Sequence, residues 1–438
     1  MHSVPPPAPV RPGTRLLGVD VLRALAVLGM VWAHFVLTGW LSPAAPGTPP
    51  DATLLWINGL LGTRSREVFF LLAGVSLALM TGGHRPRTGP DRRTDTRRVL
   101  VRSGLLLLCG LALGSFGFGD VQILHFYALW LLLLLPLARL RVPVLLGLAG
   151  VLAVAAPVFK VAAERAGGWG FVPDPMDPVF LELHHGFALL AHPADWWPTA
   201  QNVLFGLGGG SQDTVSVLPF LVLGLALGRL DLRSGATRLR LLAAGTATAV
   251  TAVLAGLLAM YPLGAVAAVR AYREPPLPAL PSDVPPPPPL VPWQQLVTLG
   301  HPGPAEKVLS VTEGVMMLGL IAALLGGLLI LLDRQPWRVL LRPLAAFGGM
   351  ALTWYVGHFL VLKALPVATA GPGLPGGRSA LAFLVFTVLA LAASVLWRRR
   401  LRRGPLEWLM HTVTTRAVPR RDPARHAVSG SGRGSVSV

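Results

Sequence analysis

Along most of the chain, apolar residues come in unbroken runs separated by short polar or basic segments. Such runs lie near 16–39, 65–82, 97–115, 119–137, 142–159, 214–229, 240–261, 307–332, 342–365 and 378–397. They match the ~20 residues that carry an α-helix across a hydrocarbon core about 30 Å thick. A helix pairs its own backbone donors and acceptors, which lipid cannot do for it. The pattern therefore predicts an all-α, polytopic transmembrane bundle of about ten spans.

The polar breaks alternate in charge. Cytoplasmic loops carry the excess of Lys and Arg, and the segment 83–98 holds Arg85, Arg87, Arg92, Arg93, Arg97 and Arg98. Arg139 and Arg141, then Arg229 to Arg240, then Arg334 to Arg342, and finally Arg398 to Arg403 mark every second break thereafter. Segments 40–63, 116–118 and 366–377 have no Lys or Arg. This alternation predicts an even number of spans with both termini cytoplasmic.

The layout divides the chain into a Pro-rich, disordered tail (1–14), a membrane domain (15–403) and a largely disordered cytoplasmic tail (404–438). Two long outer loops, 160–213 and 262–306, interrupt the domain. In the first, the Trp196-Trp197 pair and the stretch GLGGGSQD (206–213) suit a re-entrant segment or an interfacial helix. In the second, Pro285 to Pro289 favours a stiff polyproline spacer. The first apolar run is too long for a signal peptide and reads as a retained anchor in the cell membrane.

Composition agrees. Hydrophobic residues make up 53% of the 438 and charged residues only 13%, against roughly 25% charged in soluble domains. A net charge of +18 would suit a nucleic-acid binder, but the arginines cluster between apolar spans, so no nucleic acid is expected. Cys109, the single cysteine, lies inside a span. There is no metal-ligand spacing, nucleotide-binding glycine loop or serine nucleophile elbow, and no metal is expected.

Ionisable residues at bilayer depth cost about 2.5–3.5 kcal/mol on insertion scales and mark candidate sites. The first span holds Asp20, Arg23 and His34. At 100° per residue, Arg23 and His34 lie ~20° apart in projection and about 16 Å apart along the axis, with Asp20 ~60° from Arg23. All three share one stripe. His125, Glu313 and His358 fall at the depth of His34 by helical rise, with Glu67 slightly shallower, and such a layer could exchange protons near neutral pH. Each of these four could equally make a plain interhelical hydrogen bond. On the inner side Arg23 and Arg102 border the arginine-rich segment, and arginine suits a phosphate-bearing donor. The loop arginines themselves are more simply explained by topology and contact with anionic lipid.

The opening RLLGVDVLRALAVLGMVWAH resembles the first helix of the transmembrane acyltransferase superfamily, which includes acyltransferase-3-type O-acyltransferases and the heparan-α-glucosaminide N-acetyltransferase catalytic family. Arg23 and His34 match that superfamily's Arg-x10-His, although Leu22-Arg23-Ala24 stands where Leu-Arg-Gly is usual. REVFFLLAGVSLALM, LPFLVLGLALGRL (218–230), RPLAAFGGMALTWYVGHFLVL (342–362) and GPLEWLMHTV (404–413) are most similar to an uncharacterised bacterial membrane branch.

The resemblance implies transfer of an acyl group, expected to be acetyl, from cytoplasmic acyl-CoA to a hydroxyl or amine of an extracytoplasmic glycan or glycolipid. Arg23 and Arg102 would hold donor phosphates, and Asp20 would orient Arg23. His34 would act as base or nucleophile, and Glu67, His125, Glu313 or His358 would tune it or relay its proton. From the residues alone, a proton-coupled transporter or lipid flippase remains open, as does a non-catalytic membrane scaffold.

Overall fold

The computed structural model describes residues 16–37, 64–118, 122–165, 186–197, 200, 204, 214–265, 310–365 and 380–419. Every regular element among them is helical. In chain order the principal helices are α1 (Leu17–Trp32, continued by a π turn, Ala33–Leu37), α2 (Ser65–Met80), α3 (Gly89–Leu113) and α4 (Leu124–Leu137). They continue with α5 (Val142–Arg165), α6 (Thr214–Gly228), α7 (Gly235–Met260) and α8 (Val311–Leu331). Last come α9 (Arg342–Gly348), α10 (Ala351–Ala364), α11 (Ala380–Arg400) and α12 (Pro405–Ala417).

Each of the ten apolar runs carries a helix. Among the described residues, six qualify by length and apolarity to cross a membrane: α1, α3, α5, α7, α8 and α11. A seventh appears if α9 and α10 are counted as one span, and α4 and α6 are shorter apolar helices.

Two local expectations change. The run 342–365 is not one straight helix, since α9 and α10 meet at a bend of 80°. The FGGM stretch (347–350) supplies two glycines there, and glycine costs a helix up to ~1 kcal/mol relative to alanine. The segment 83–98 is not all loop, because α3 begins at Gly89 with a proline in its first turn. Within the expected cytoplasmic tail 404–438, α12 covers Pro405–Ala417, and residues after 419 lie outside the described residues. Most of 198–213 and the proline run 285–289 lie outside the described residues.

Small residues set the packing, because lipid tails leave little hydrophobic drive for helix association and close backbone approach takes its place. Gly224 and Gly228, four apart on α6, let it cross α2 at Leu71 and Ala78, while Gly74 faces α6 from the other side. Gly245 on α7 meets Gly319 and Ala323 on α8, and Gly326 meets Leu242 and the Arg238 carbonyl. Ser310 caps the start of α8, with the Glu313 amide donating to the Ser310 hydroxyl at 3.1 Å.

The arginine-rich ends are tied together by Arg229, which is only 6% exposed. Its guanidinium donates to the Ala138 carbonyl at 2.7 Å, the Thr81 hydroxyl at 2.9 Å and the Gly83 carbonyl at 3.0 Å. This joins the ends of α2, α4 and α6. Helix α1 runs through the middle of the bundle, against α2, α8, α9, α10 and α11.

Candidate functional site

Asp20 and Arg23, one turn apart on α1, form an ion pair at 2.9 Å. Arg23 also reaches the Gly348 carbonyl at 3.4 Å. That approach depends on glycine: a Cβ at position 348 would overlap the Asp20 carbonyl oxygen. The last residue of α9 is thereby seated on the first turns of α1.

Arg23 lines a cavity of about 430 Å³ at the arginine-rich end of the bundle, within the 300–1,000 Å³ typical of small-molecule sites. Arg102 of α3 lines it too, within electrostatic reach of Arg23, Tyr127 and Glu407. Arg403, Glu407 and His411 come from α12 and the turn before it. Desolvation at the cavity rim, then repulsion from Arg403, Arg98 and Arg102, holds the His411 imidazole below its ordinary range. Leu72, Leu106, Leu124, Phe69 and Leu352 supply apolar wall. The chamber is cationic at its polar groups and greasy between them, suited to an amphiphilic anion.

Tyr355 of α10 forms the deep wall. Its hydroxyl accepts from the Ile123 amide at 2.8 Å, and its ring faces Phe69 at 6.0 Å between centroids. Behind it, one turn further along α10, stands His358, its ring 5.4 Å from that of Tyr355 and edge-on to it.

His358 meets His34. The Nδ1 of His34 and the Nε2 of His358 are 2.9 Å apart, with the two rings stacked at 18°. His358 is fully buried, and its Nδ1 lies 3.4 Å from the Trp354 carbonyl. A carbonyl only accepts, so that contact puts the His358 proton on Nδ1 and leaves Nε2 as acceptor. His34 then donates from Nδ1, and its basic lone pair is on Nε2. His34 sits in the π turn Ala33–Leu37, an irregularity common at functional sites.

The other three residues of the expected layer carry partners of their own. Glu313 pairs with Arg64, Glu67 with the adjacent Arg66 at 3.4 Å, and His125 with Gln122. The structure thus joins Asp20 to Arg23 and His34 to His358, brings Arg23 and Arg102 to one cavity, and leaves Glu67, His125 and Glu313 outside the histidine pair. Tyr355, Arg403, Glu407 and His411 escaped the sequence reading. The signal for Glu407 and His411 was GPLEWLMHTV, a short amphipathic helix with proline at its start.

Fold and site together define a class: an all-helical, multi-pass membrane protein with a basic cavity at one end and a histidine pair behind its deep wall. The model of the heparan-alpha-glucosaminide N-acetyltransferase catalytic family matches residues 15–262, more than half the chain, and the chain belongs to that family. Membership places it among membrane acetyltransferase-type enzymes. A second model, described as Protein of unknown function (DUF418), matches residues 290–417. No curated protein matches the chain. The two matches divide the site between them: Asp20, Arg23, His34 and Arg102 fall in the first, and Tyr355, His358 and the α12 residues in the second.

Proposed function

We propose that the chain is a cell-membrane acyltransferase that takes an acyl group, acetyl by preference, from acyl-CoA. The acceptor is a hydroxyl or amine of a glycan or glycolipid on the far side of the membrane. The arginine-rich end faces the cytoplasm, a reading supported by the excess of arginine at alternate breaks between apolar runs. The observation that carries this reading is the cationic cavity lined by Tyr355, whose ring packs edge-on against His358, the hydrogen-bond partner of His34.

Arg23 and Arg102 hold donor phosphates through charge-assisted bonds, with Asp20 keeping the Arg23 guanidinium in place. The apolar walls guide the thioester arm towards Tyr355. Nε2 of His34 takes the proton from the acceptor, whose oxygen or nitrogen attacks the thioester carbonyl. The C–O or C–N bond forms, the C–S bond breaks, and the proton passes from His34 to the departing thiolate. Through its hydrogen bond, neutral His358 stabilises the positive charge that His34 carries between those steps. Glu67, His125 and Glu313 shape the outer part of the bundle through their own partners.

The test is release of CoA thiol and transfer of labelled acetyl by the purified full-length chain, wild type against His34→Ala. The wild type should turn over, and the variant should lose at least ~100-fold with unchanged folding. Equal turnover would remove His34 from the mechanism. Passage of a substrate across vesicles without any CoA release would favour a transporter, for which the broken α9–α10 helix is the supporting feature.

A further inference from the structure

Helix α12 opens the expected cytoplasmic tail, and it is anchored at three points. Glu407 is the first. Its Oε1 accepts from the amides of Leu352 and Thr353 at 2.7 and 3.1 Å, and its Oε2 from the Thr353 hydroxyl at 2.5 Å. Those amides belong to the first turn of α10, where a helix has no carbonyl partners of its own. The break after α9 exposes them, and a carboxylate from another helix caps them. Gly404 makes the approach possible, because a Cβ there would stand 2.9 Å from the Thr353 hydroxyl and 3.0 Å from the Met350 side chain. Met410, 3% exposed, is the second anchor. The third is the hydrogen bond from Arg98 Nε to the Val418 carbonyl at 2.9 Å.

Docked this way, α12 completes one side of the cavity. Glu407 is committed to α10, so the wall that α12 brings offers Arg403 and His411 to a ligand. The Trp397 indole donates to the Arg403 carbonyl at 2.8 Å, which fixes the turn that carries Arg403.

We propose that α12 is part of the donor-binding site: Arg403 and His411 bind phosphate of the acyl-CoA, and Glu407 is a positioning residue that docks α12 by capping α10. This rests on the acyl-CoA reading above. It makes the two family segments one functional unit, since the donor is held between residues of both.

The experiment is CoA binding to the full-length protein in lipid nanodiscs by calorimetry, with amide hydrogen exchange as a second readout. The Arg403→Ala/His411→Ala double variant should bind CoA about fivefold more weakly at pH 7, the exposed charge contact of Arg403 being worth up to ~1 kcal/mol and the neutral His411 adding only a hydrogen bond, while exchange in α12 stays slow. Glu407→Ala should weaken CoA binding and speed exchange at Leu352, Thr353 and across α12. Glu407→Gln keeps an oxygen for the two amides and should recover much of both, which a folding defect from lost helix capping alone would not couple to CoA affinity in the double variant. If Glu407→Ala does not fold, Glu407→Gln and the double variant carry the test. Wild-type affinity in the double variant overturns this inference and leaves the acyl-CoA reading standing. No CoA binding by the wild type overturns both.

Discussion

Gly348→Ala probes the seat of Arg23 without touching a charged group. The added methyl would overlap the Asp20 carbonyl oxygen and stand 2.9 Å from the Ala24 amide nitrogen, where ordinary contact begins at 3.4 Å. The nitrogen alone requires α9 and α1 to part by about half an ångström, and the oxygen requires more. The bond from Arg23 to the Gly348 carbonyl is already 3.4 Å long, so this parting breaks it. Overpacking of this kind costs about 1–3 kcal/mol. Gly357 serves as the control, because a Cβ there meets its nearest neighbour, the Trp354 ring, at 3.8 Å. Thermal unfolding in detergent should show a lower midpoint for Gly348→Ala and an equal or higher one for Gly357→Ala, with CoA affinity reduced only in the former. Indistinguishable midpoints and affinities for the two variants would refute the claim that α9 is seated on α1 to place Arg23.

His358→Phe should keep the stacked packing and unfolding midpoint but lower kcat, whereas His358→Gln, with an acceptor oxygen near the place of Nε2, should retain more activity; equal kcat in all three proteins would exclude the hydrogen bond from catalysis. His411 is held below its ordinary range by desolvation, Arg403, Arg98 and Arg102, so it is neutral at pH 7 and gains its proton only on acidification below the usual ~6.5. Its charge then adds to phosphate binding, and the ratio of wild-type to His411→Ala CoA affinity should rise as pH falls from 7 to 5; a flat ratio would show that His411 does not face the donor. Arg229→Met leaves the Ala138 and Gly83 carbonyls without their charged donor and should cost at least about 2 kcal/mol of stability, measured as a lowered unfolding midpoint with unchanged CoA affinity in the protein that remains folded.

The helices were legible because span length and apolarity are local properties, and every run from 16–39 to 378–397 is helical, although 342–365 is broken into two. The meeting of His34 and His358 was foreshadowed by rise alone: each lies a few residues from the same end of its helix, so both reach one depth. Depth does not say which way a side chain turns. Glu313 found Arg64 and His125 found Gln122 through choices of face and neighbour that no single-helix pattern encodes. The bend at Gly348 was written in FGGM, but its consequence, an uncapped α10 amide turn, needs a partner from far along the chain. Glu407 provides it across 55 residues. In the sequence that partner looks like any exposed glutamate of a short amphipathic helix, and nothing local marks it as a cap for α10.

The central claim is that acyl-CoA occupies the cavity at the arginine-rich end with its thioester directed at the histidine pair. Electron cryomicroscopy of the full-length His34→Ala protein with acetyl-CoA tests it most directly. The account predicts phosphate density against Arg23 and Arg102 and the acetyl group beside Tyr355. Acetyl-CoA bound elsewhere on the protein, or a cavity holding only lipid at saturating acetyl-CoA, would contradict it.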